Sequence, residues 1–371
     1  MAFATGAKTT FSDSADHILD LKNGLDFLNP RQDGIALLKR IGTNGFTAKA
    51  VKHEWTEVAL AVRGETVTID DSATALDVAD ANIYQVNELI RIENEVVRVT
   101  ALADADTLTI TRAYAGTSAA AHSSKNAYSL GSADPENANA PAGIEDAAVR
   151  LYNYVQTFTR SVNLSSDEIA QLSTEGNPMT GQLKRRFIEI NRQLGRSLFY
   201  GVRHEDSTNK IHVMGGLKQF VSTNAANAAG ALTIALIDAR ILAIVNAGGD
   251  PKVMVMSPTQ KQKLDALDAS KQMLGKKEHT GGNLVTQTWQ SGVLDHELDI
   301  IVDHSILTDE LWILDTDHIQ IGYLSNNGVE GAFHVEDATT PGQDGQKKVI
   351  RGKYTMRVML EKGQAYLYGL T

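Results

Sequence analysis

The stretch from Leu151 to Gly201, LYNYVQTFTRSVNLSSDEIAQLSTEGNPMTGQLKRRFIEINRQLGRSLFYG, joins a long alternating segment to an amphipathic helix with a basic back. The ends of the helix can be read residue by residue. Asn177 is a good N-cap, Pro178 sits at the first helical position, and Gly201 supplies a left-handed stop after Tyr200. These signals predict one helix of about 23 residues, roughly 35 Å long. At roughly 100° per residue, Met179, Leu183, Phe187, Ile190, Leu194 and Leu198 share one side. Arg185, Arg192, Arg196 and, if the last turn persists, Arg203 share the other. Such a charged face is most often simply solvated.

Upstream, Arg150, Tyr152, Tyr154, Gln156, Phe158, Arg160, Val162 and Leu164 alternate with the residues between them, which predicts a strand too long for an ordinary compact sheet. An arm projecting from its own domain would need such a strand. Ser165 and Glu168 have the spacing of a capping box for a short helix before the long one. The run KHEWTEV from Lys52 reads as the outgoing partner of the Leu151 strand. Between the two lies a module of different texture, with TVTID at Thr66, the hairpin LIRIENEVVRVT from Leu89 turning at Glu93 and Asn94, and TLTITRAYAGT from Thr107. Period-two alternation, β-branched residues and polar turns make it a small all-β domain, about 63–131, inserted in the loop 51–164. Ser132 to Asp146 is the linker back, and residues 1–50 read as an arm with short helical pieces around Ile35, Leu37, Leu38 and Ile41.

After the long helix the pattern turns α/β. Ile234, Ile237, Ile241, Ile244 and Val245 form a helical stripe ended by Gly248 and Gly249; KVMVM from Lys252 is a short buried strand; Ser257, Pro258 and Gln260 start another helix. Strands follow in ELDIIVD, LWILD and HIQIGYL, and the tail returns to strands in KKVIRGKYTMRVML and QAYLYGL.

A chain of 371 residues, 42% hydrophobic and 22% charged, has room for two or three domains with ordinary cores. No run is long and apolar enough to cross a bilayer, and the N-terminus lacks the basic-then-apolar order of a secretion signal, so the protein is expected to work where it is made or in a particle assembled there. Zero cysteines exclude disulfides, thiolate metal sites and cysteine nucleophiles. The net charge of −10 argues against a dedicated nucleic-acid binder while leaving room for a locally basic face.

Three Asp-His dipeptides, at His296, His304 and His318, invite a metal or hydrolase reading, but their spacing matches no ligand motif. There is no G-x-S-x-G, H-E-x-x-H or Walker loop, and Gly248 and Gly249 precede a strand where a dinucleotide fingerprint would follow one. No catalytic, cofactor or metal site is assigned. An enzyme whose residues converge only in three dimensions would leave the same record, and that alternative stays open.

The order of elements resembles the major capsid proteins of tailed bacteriophages, the HK-ninety-seven-type fold. More narrowly, YVQTFTRSVNLSS from Tyr154, the helix ending in RSLFYG, and TITRAYAGTSAAAH from Thr109 resemble the SU-ten-like branch. The resemblance implies an α+β fold with an N-arm (1–50), an extended E-loop (51–164) carrying the all-β insertion domain, and a spine helix (178–200) in a peripheral domain (165–222 and 329–371). An axial domain (223–328) completes it. It also implies a non-enzymatic structural protein that forms hexamers and pentamers with itself. Their icosahedral or prolate shell would enclose double-stranded DNA, with portal, scaffolding or decoration proteins as further partners. Such a protein belongs to the virion capsid, assembles in the host bacterial cytoplasm, and needs no membrane or cofactor. Some relatives cross-link subunits through a lysine–asparagine isopeptide bond, and no residue here is assigned to that chemistry. An encapsulin-type compartment shell shares the fold and remains the alternative.

Within that frame, Arg185, Arg192, Arg196 and Arg203 are a candidate basic stripe meeting packaged DNA by sequence-independent phosphate contact, or serving subunit-interface ion pairs. Trp55, Tyr152, Tyr154 and Phe158 are candidate contacts to a neighbouring subunit, since aromatic residues commonly anchor interfaces.

Overall fold

Strict alternation builds the segment between Trp55 and Leu151, one of the two compact units into which the chain divides; the other joins Met1–Glu54 to Tyr152–Thr371. The structure, a computed structural model, describes residues 36–42, 45–58, 64–136, 148–170, 177–267, 272–273, 288–326 and 329–371. Most of the expected 1–50 arm and much of the 132–146 linker lie outside these residues.

In Trp55–Leu151, six strands form an antiparallel sheet in the order Gly64–Ile69, His122–Ser132, Glu88–Ile92, Glu95–Leu102, Thr107–Thr111, Ala75–Asp77. Every second residue turns inward, so Val67, Ile69, Ile90, Ile92, Val97, Val99, Leu108 and Ile110 make one apolar core. Burying side chains of this size contributes roughly 1.5–3 kcal/mol each. The Leu89 hairpin turns at Glu93, which takes a φ of 53°.

The run from Thr109 to His122 wraps one carboxylate. Glu95 is 1% exposed, and Arg112 grips it twice, Nε to Oε1 at 2.6 Å and Nη2 to Oε2 at 2.7 Å. The amides of Ala113 and Ala120 donate to it at 3.1 and 3.2 Å, and His122 Nε2 lies 3.0 Å away. Burial pushes the Glu95 carboxyl up, but the bonds from Arg112, the two amides and His122 prevail and hold it at about 2. The motif residues are thus those that a buried charge requires.

Among the described residues, the larger unit holds two large sheets and the small hairpin His204–Asp206 with Ile211–Val213. In the first, Phe46–Ala48, Ile319–Asn326, Gln346–Val358 and Gln156–Leu164 lie side by side in that order, with His334–Asp337 also paired to Gln346–Val358. The second runs Ala225–Gly230, Ala365–Leu370, Leu311–Leu314, Val253–Met256, Glu297–Val302, Thr288–Gln290, Gln272–Met273. Its central strands are apolar throughout because both faces are covered. Val253, Val255, Trp312 and Leu314 join one core with the long helix residues Ile190, Leu194 and Leu198. Met254, Met256, Leu311 and Ile313 face the other, with Ile237, Ile241 and Ile244.

Four readings of the sequence change. The single long strand is two, Ala148–Tyr154 and Gln156–Leu164, and the first pairs with Lys52–Val58 while the second pairs with Gln346–Val358. The inward parity flips at the break, from Asn153 and Val155 to Phe158 and Val162. Asn153, fully buried, fixes that junction: its Nδ2 donates to Gly215 O (3.1 Å) and Met356 O (2.8 Å), and its Oδ1 accepts from Gly215 N and Tyr154 N at 2.8 and 2.9 Å.

Two strands also pair outside the regions in which the sequence reading put them. Ile319–Asn326, placed with 223–328, pairs with Gln346–Val358, whereas Ala365–Leu370, placed with 329–371, lies between Ala225–Gly230 and Leu311–Leu314. Pairing follows hydrogen-bond register, which chain order does not reveal.

Gly201 is not left-handed: its φ is −56°. Glycine is needed there because a Cβ would sit 2.4 Å from Met214 O and 2.6 Å from Ser197 O. Phe187, assigned to the apolar seam, is 43% exposed and rests edge-on against Phe333 at 5.9 Å.

Candidate functional site

The long helix spans Pro178–Tyr200, and the Asn177 side chain accepts from the amides of Met179 (3.1 Å) and Thr180 (3.3 Å). Its apolar side, through Ile190, Leu194, Leu198 and Phe199, lies in the core with Phe158 and Ile350. That fixes where its arginines stand.

Three of the four stand on the helix. Arg185 and Arg192 line a cavity of about 240 Å³ with Gln182, Arg186, Ile188 and Glu189. Glu189 accepts from Arg186 at 2.7 Å and from Arg160 at 3.0 Å, and these cations, Arg186 foremost, hold its carboxyl below the usual range. Arg196 belongs to a second groove, of about 500 Å³, walled by Arg160, Gln193 and Ser197 and by the strand Gln156–Leu164. Arg203 is elsewhere, because the helix ends before it. Its guanidinium stacks 4.0 Å from the centroid of the Tyr152 ring and donates to Tyr152 O at 2.7 Å.

The four aromatic residues also separate. Phe158 is 4% exposed inside the core of its own chain, which removes it as a contact for a neighbour. Trp55 is buried as well, with Nε1 donating to Glu57 at 2.9 Å. The Tyr152 ring meets two cations, Arg203 and Lys52, whose Nζ lies 4.4 Å from the ring centroid. Tyr154 crosses Tyr152 edge-on at 5.6 Å, and its hydroxyl donates to Glu205 at 2.8 Å, which raises the Tyr154 pKa and lowers that of Glu205.

Sequence patterning missed one further hub. Glu310, 1% exposed, accepts from Tyr200 at 2.5 Å, from Lys218 at 3.0 Å and from Tyr366, tying the end of the long helix to the second sheet. An acid directly ahead of an apolar strand, Glu310 in DELWILD, was the available signal. Of the Asp-His pairs, His296 bonds to Asp295 and Pro251 O, and His318 bonds to Asp315. Among the described residues no three His, Cys, Asp or Glu side chains are grouped to hold a metal ion.

The arrangement is a set of packed hubs and surface grooves, and the family that matches it is a structural one. The sequence model of the SU10 major capsid protein matches residues 3–371. The chain belongs to that family. It is a major capsid protein of a tailed bacteriophage, a structural component of the virion capsid. Solved structures agree on the fold. The cyanophage A-1(L) capsid aligns at a TM-score of 0.56 and 13% identity, over 98% of this chain and 100% of that one. The capsid of a native GTA particle gives 0.54 at 8% identity, over 98% and 99%. Microbacterium phage Oxtober96 gives 0.54 at 11%, over 97% and 98%. The capsid protein has no significant match among curated proteins.

Proposed function

We propose that this capsid protein assembles as hexamers and pentamers into an icosahedral or prolate shell around double-stranded DNA, in the cytoplasm of its bacterial host. Portal, scaffolding or decoration proteins complete the particle. Residues 1–50 act as the N-arm and 51–164 as the extended loop that carries the β unit. The regions 165–222 with 329–371 and 223–328 act as peripheral and axial domains, with Ile319–Asn326 serving the first and Ala365–Leu370 the second. No described helix is long and apolar enough to cross a membrane.

The observation that carries the DNA contact is the cavity shared by Arg185, Arg186 and Arg192 on a chain whose net charge is −10. Guanidinium groups at one groove on an acidic protein suit phosphate oxygens without reading sequence. Arg185 and Arg192 are therefore the phosphate contacts, and Arg203 is not. The test is electron microscopy and nuclease protection of particles carrying Arg185→Gln with Arg192→Gln. Shells of normal size with less retained DNA, and a shallower salt dependence of retention, support the reading. Failure to form shells assigns the pair to a subunit interface.

A further inference from the structure

The hairpin His204–Asp206 with Ile211–Val213 is closed by the Asp206 carboxylate, which accepts from the amides of Thr208 and Asn209 at 3.0 Å each. Its turn ends on Lys210 at a φ of 58°, in the left-handed region. Glycine and asparagine take that region with least strain, so a lysine there is held against its own backbone preference. Strain of this kind gathers at ligand clamps. Lys210, with Ile211 and His212, lines a cavity of about 290 Å³.

The facing wall comes from the first sheet, where Thr157 and Lys353 lie directly opposite one another on the paired strands Gln156–Leu164 and Gln346–Val358. Leu324, Val51 and Val155 add apolar surface, the last two joined by a backbone bond from Val155 N to Val51 O at 2.8 Å. No lining residue is acidic. Among the described residues no carboxylate forms an ion pair with Lys210 or Lys353. The acids around the cavity are engaged elsewhere: Glu205 accepts from Tyr154 at 2.8 Å and faces His212 at 3.4 Å, and Glu336, whose charge Lys353 feels, meets His334 and Arg351 at 2.8 and 3.1 Å.

We propose that this cavity binds a small organic phosphate, its phosphoryl group between Lys210 and Lys353 and its apolar body against Val51, Val155 and Leu324. A phosphate monoester carries a charge of about −1.5 to −2 near neutral pH, which two ammonium groups match, whereas a carboxylate would leave one of them uncompensated. Lysine serves phosphate as a point charge, and Thr157 adds a hydroxyl donor. The volume lies at the lower end of small-molecule sites, roughly 300–1,000 Å³, and exceeds what a bare phosphate fills. Glycine at position 210 would relax the turn and forfeit the ammonium, which accounts for lysine in a left-handed turn. The site shares no residue with the cavity of Arg185 and Arg192, and it stands independently of the shell and DNA readings.

Calorimetric titration of the full chain with phenyl phosphate, and with its two halves, phenol and inorganic phosphate, tests the site. Phenyl phosphate should bind at least tenfold more tightly than either half. Lys210→Gly should weaken it at least tenfold while keeping or raising the melting temperature, because glycine suits the left-handed turn. Lys353→Gln, which leaves the hairpin untouched, should weaken it by a similar factor. Absence of binding overturns the proposal, as does phenol binding as tightly as phenyl phosphate, since the lysines would then read nothing. Inorganic phosphate binding as tightly as phenyl phosphate removes the apolar body from the ligand and overturns the organic class. A duplex DNA fragment that displaces phenyl phosphate with equal affinity per phosphate overturns it too, by assigning the lysines to nucleic acid. A Lys210→Gly chain that melts lower and binds as before returns Lys210 to a structural role and overturns the clamp.

Discussion

Arg112 and Glu95 meet as a two-bond ion pair, 2.6 and 2.7 Å, with both side chains inside the β unit and the backbone of Asp70, Ala73 and Ala120 accepting the remaining guanidinium protons. Removing one partner leaves the other buried and unpaired. Arg112→Met should cost about 3–5 kcal/mol of β-unit stability. Hydrogen exchange at the amides of Glu88–Leu102 in the full chain measures it, and protection equal to wild type would refute it.

The same carboxyl sets an acid dependence. Its folded pKa is about 2 against an ordinary 4.5, so the stability it contributes is complete above about 4.5 and is lost as the pH falls towards 2. Glu95→Gln mimics the protonated form. The melting-temperature gap between wild type and this variant should be widest near neutrality and should close between those two pH values. A gap that stays constant down to pH 2 would show that the charge of Glu95 contributes nothing.

Gly201 is a matter of space. Alanine would bring a methyl to 2.4 Å from Met214 O, and neither that carbonyl nor Ser197 O can retreat without breaking the turn that Gly201 and Gly216 share. Gly201→Ala should cost about 1–3 kcal/mol, the scale of overpacking. Since φ is already −56°, alanine itself is unstrained, and a variant as stable as wild type in urea titration would show that the Gly201–Gly216 contact yields.

Asn177 caps the long helix through two amides, and Asn177→Ala should lower stability by about 1 kcal/mol, with Asn177→Asp close to neutral. Urea midpoints of the two variants check this.

Phe158 and Tyr152 should part company. Phe158→Ala opens the core and should cost about 3–5 kcal/mol in the unassembled protein. Tyr152→Ala removes the ring shared by Lys52 and Arg203 and should change the melt far less while loosening the Lys52–Val58 and Ala148–Tyr154 strands, visible as faster exchange of their amides. Equal effects on both readouts would return Tyr152 to the core.

What the sequence determined on its own was local. The N-cap at Asn177, the helix to Tyr200, the hairpin at Glu93 and Asn94, and the caps at Ser165 and Ser257 follow from residues within a few positions of one another, and each stands in the structure. Period-two and 3.6-residue patterns carry that information because side-chain direction repeats with the backbone. Tertiary structure decided what lies opposite. Whether Phe158 packs inside or waits for a neighbour depends on the helix laid over it. Which arginines share a groove depends on what is laid against the helix, since Arg196 stands with the strand Gln156–Leu164 and Arg185 and Arg192 do not. Which sheet takes Ile319–Asn326 or Ala365–Leu370 depends on register with strands distant in sequence. Buried polar hubs such as Asn153, Glu95 and Glu310 are stable only because partners from remote segments satisfy every charge and lone pair, and that condition has no signature at any single position.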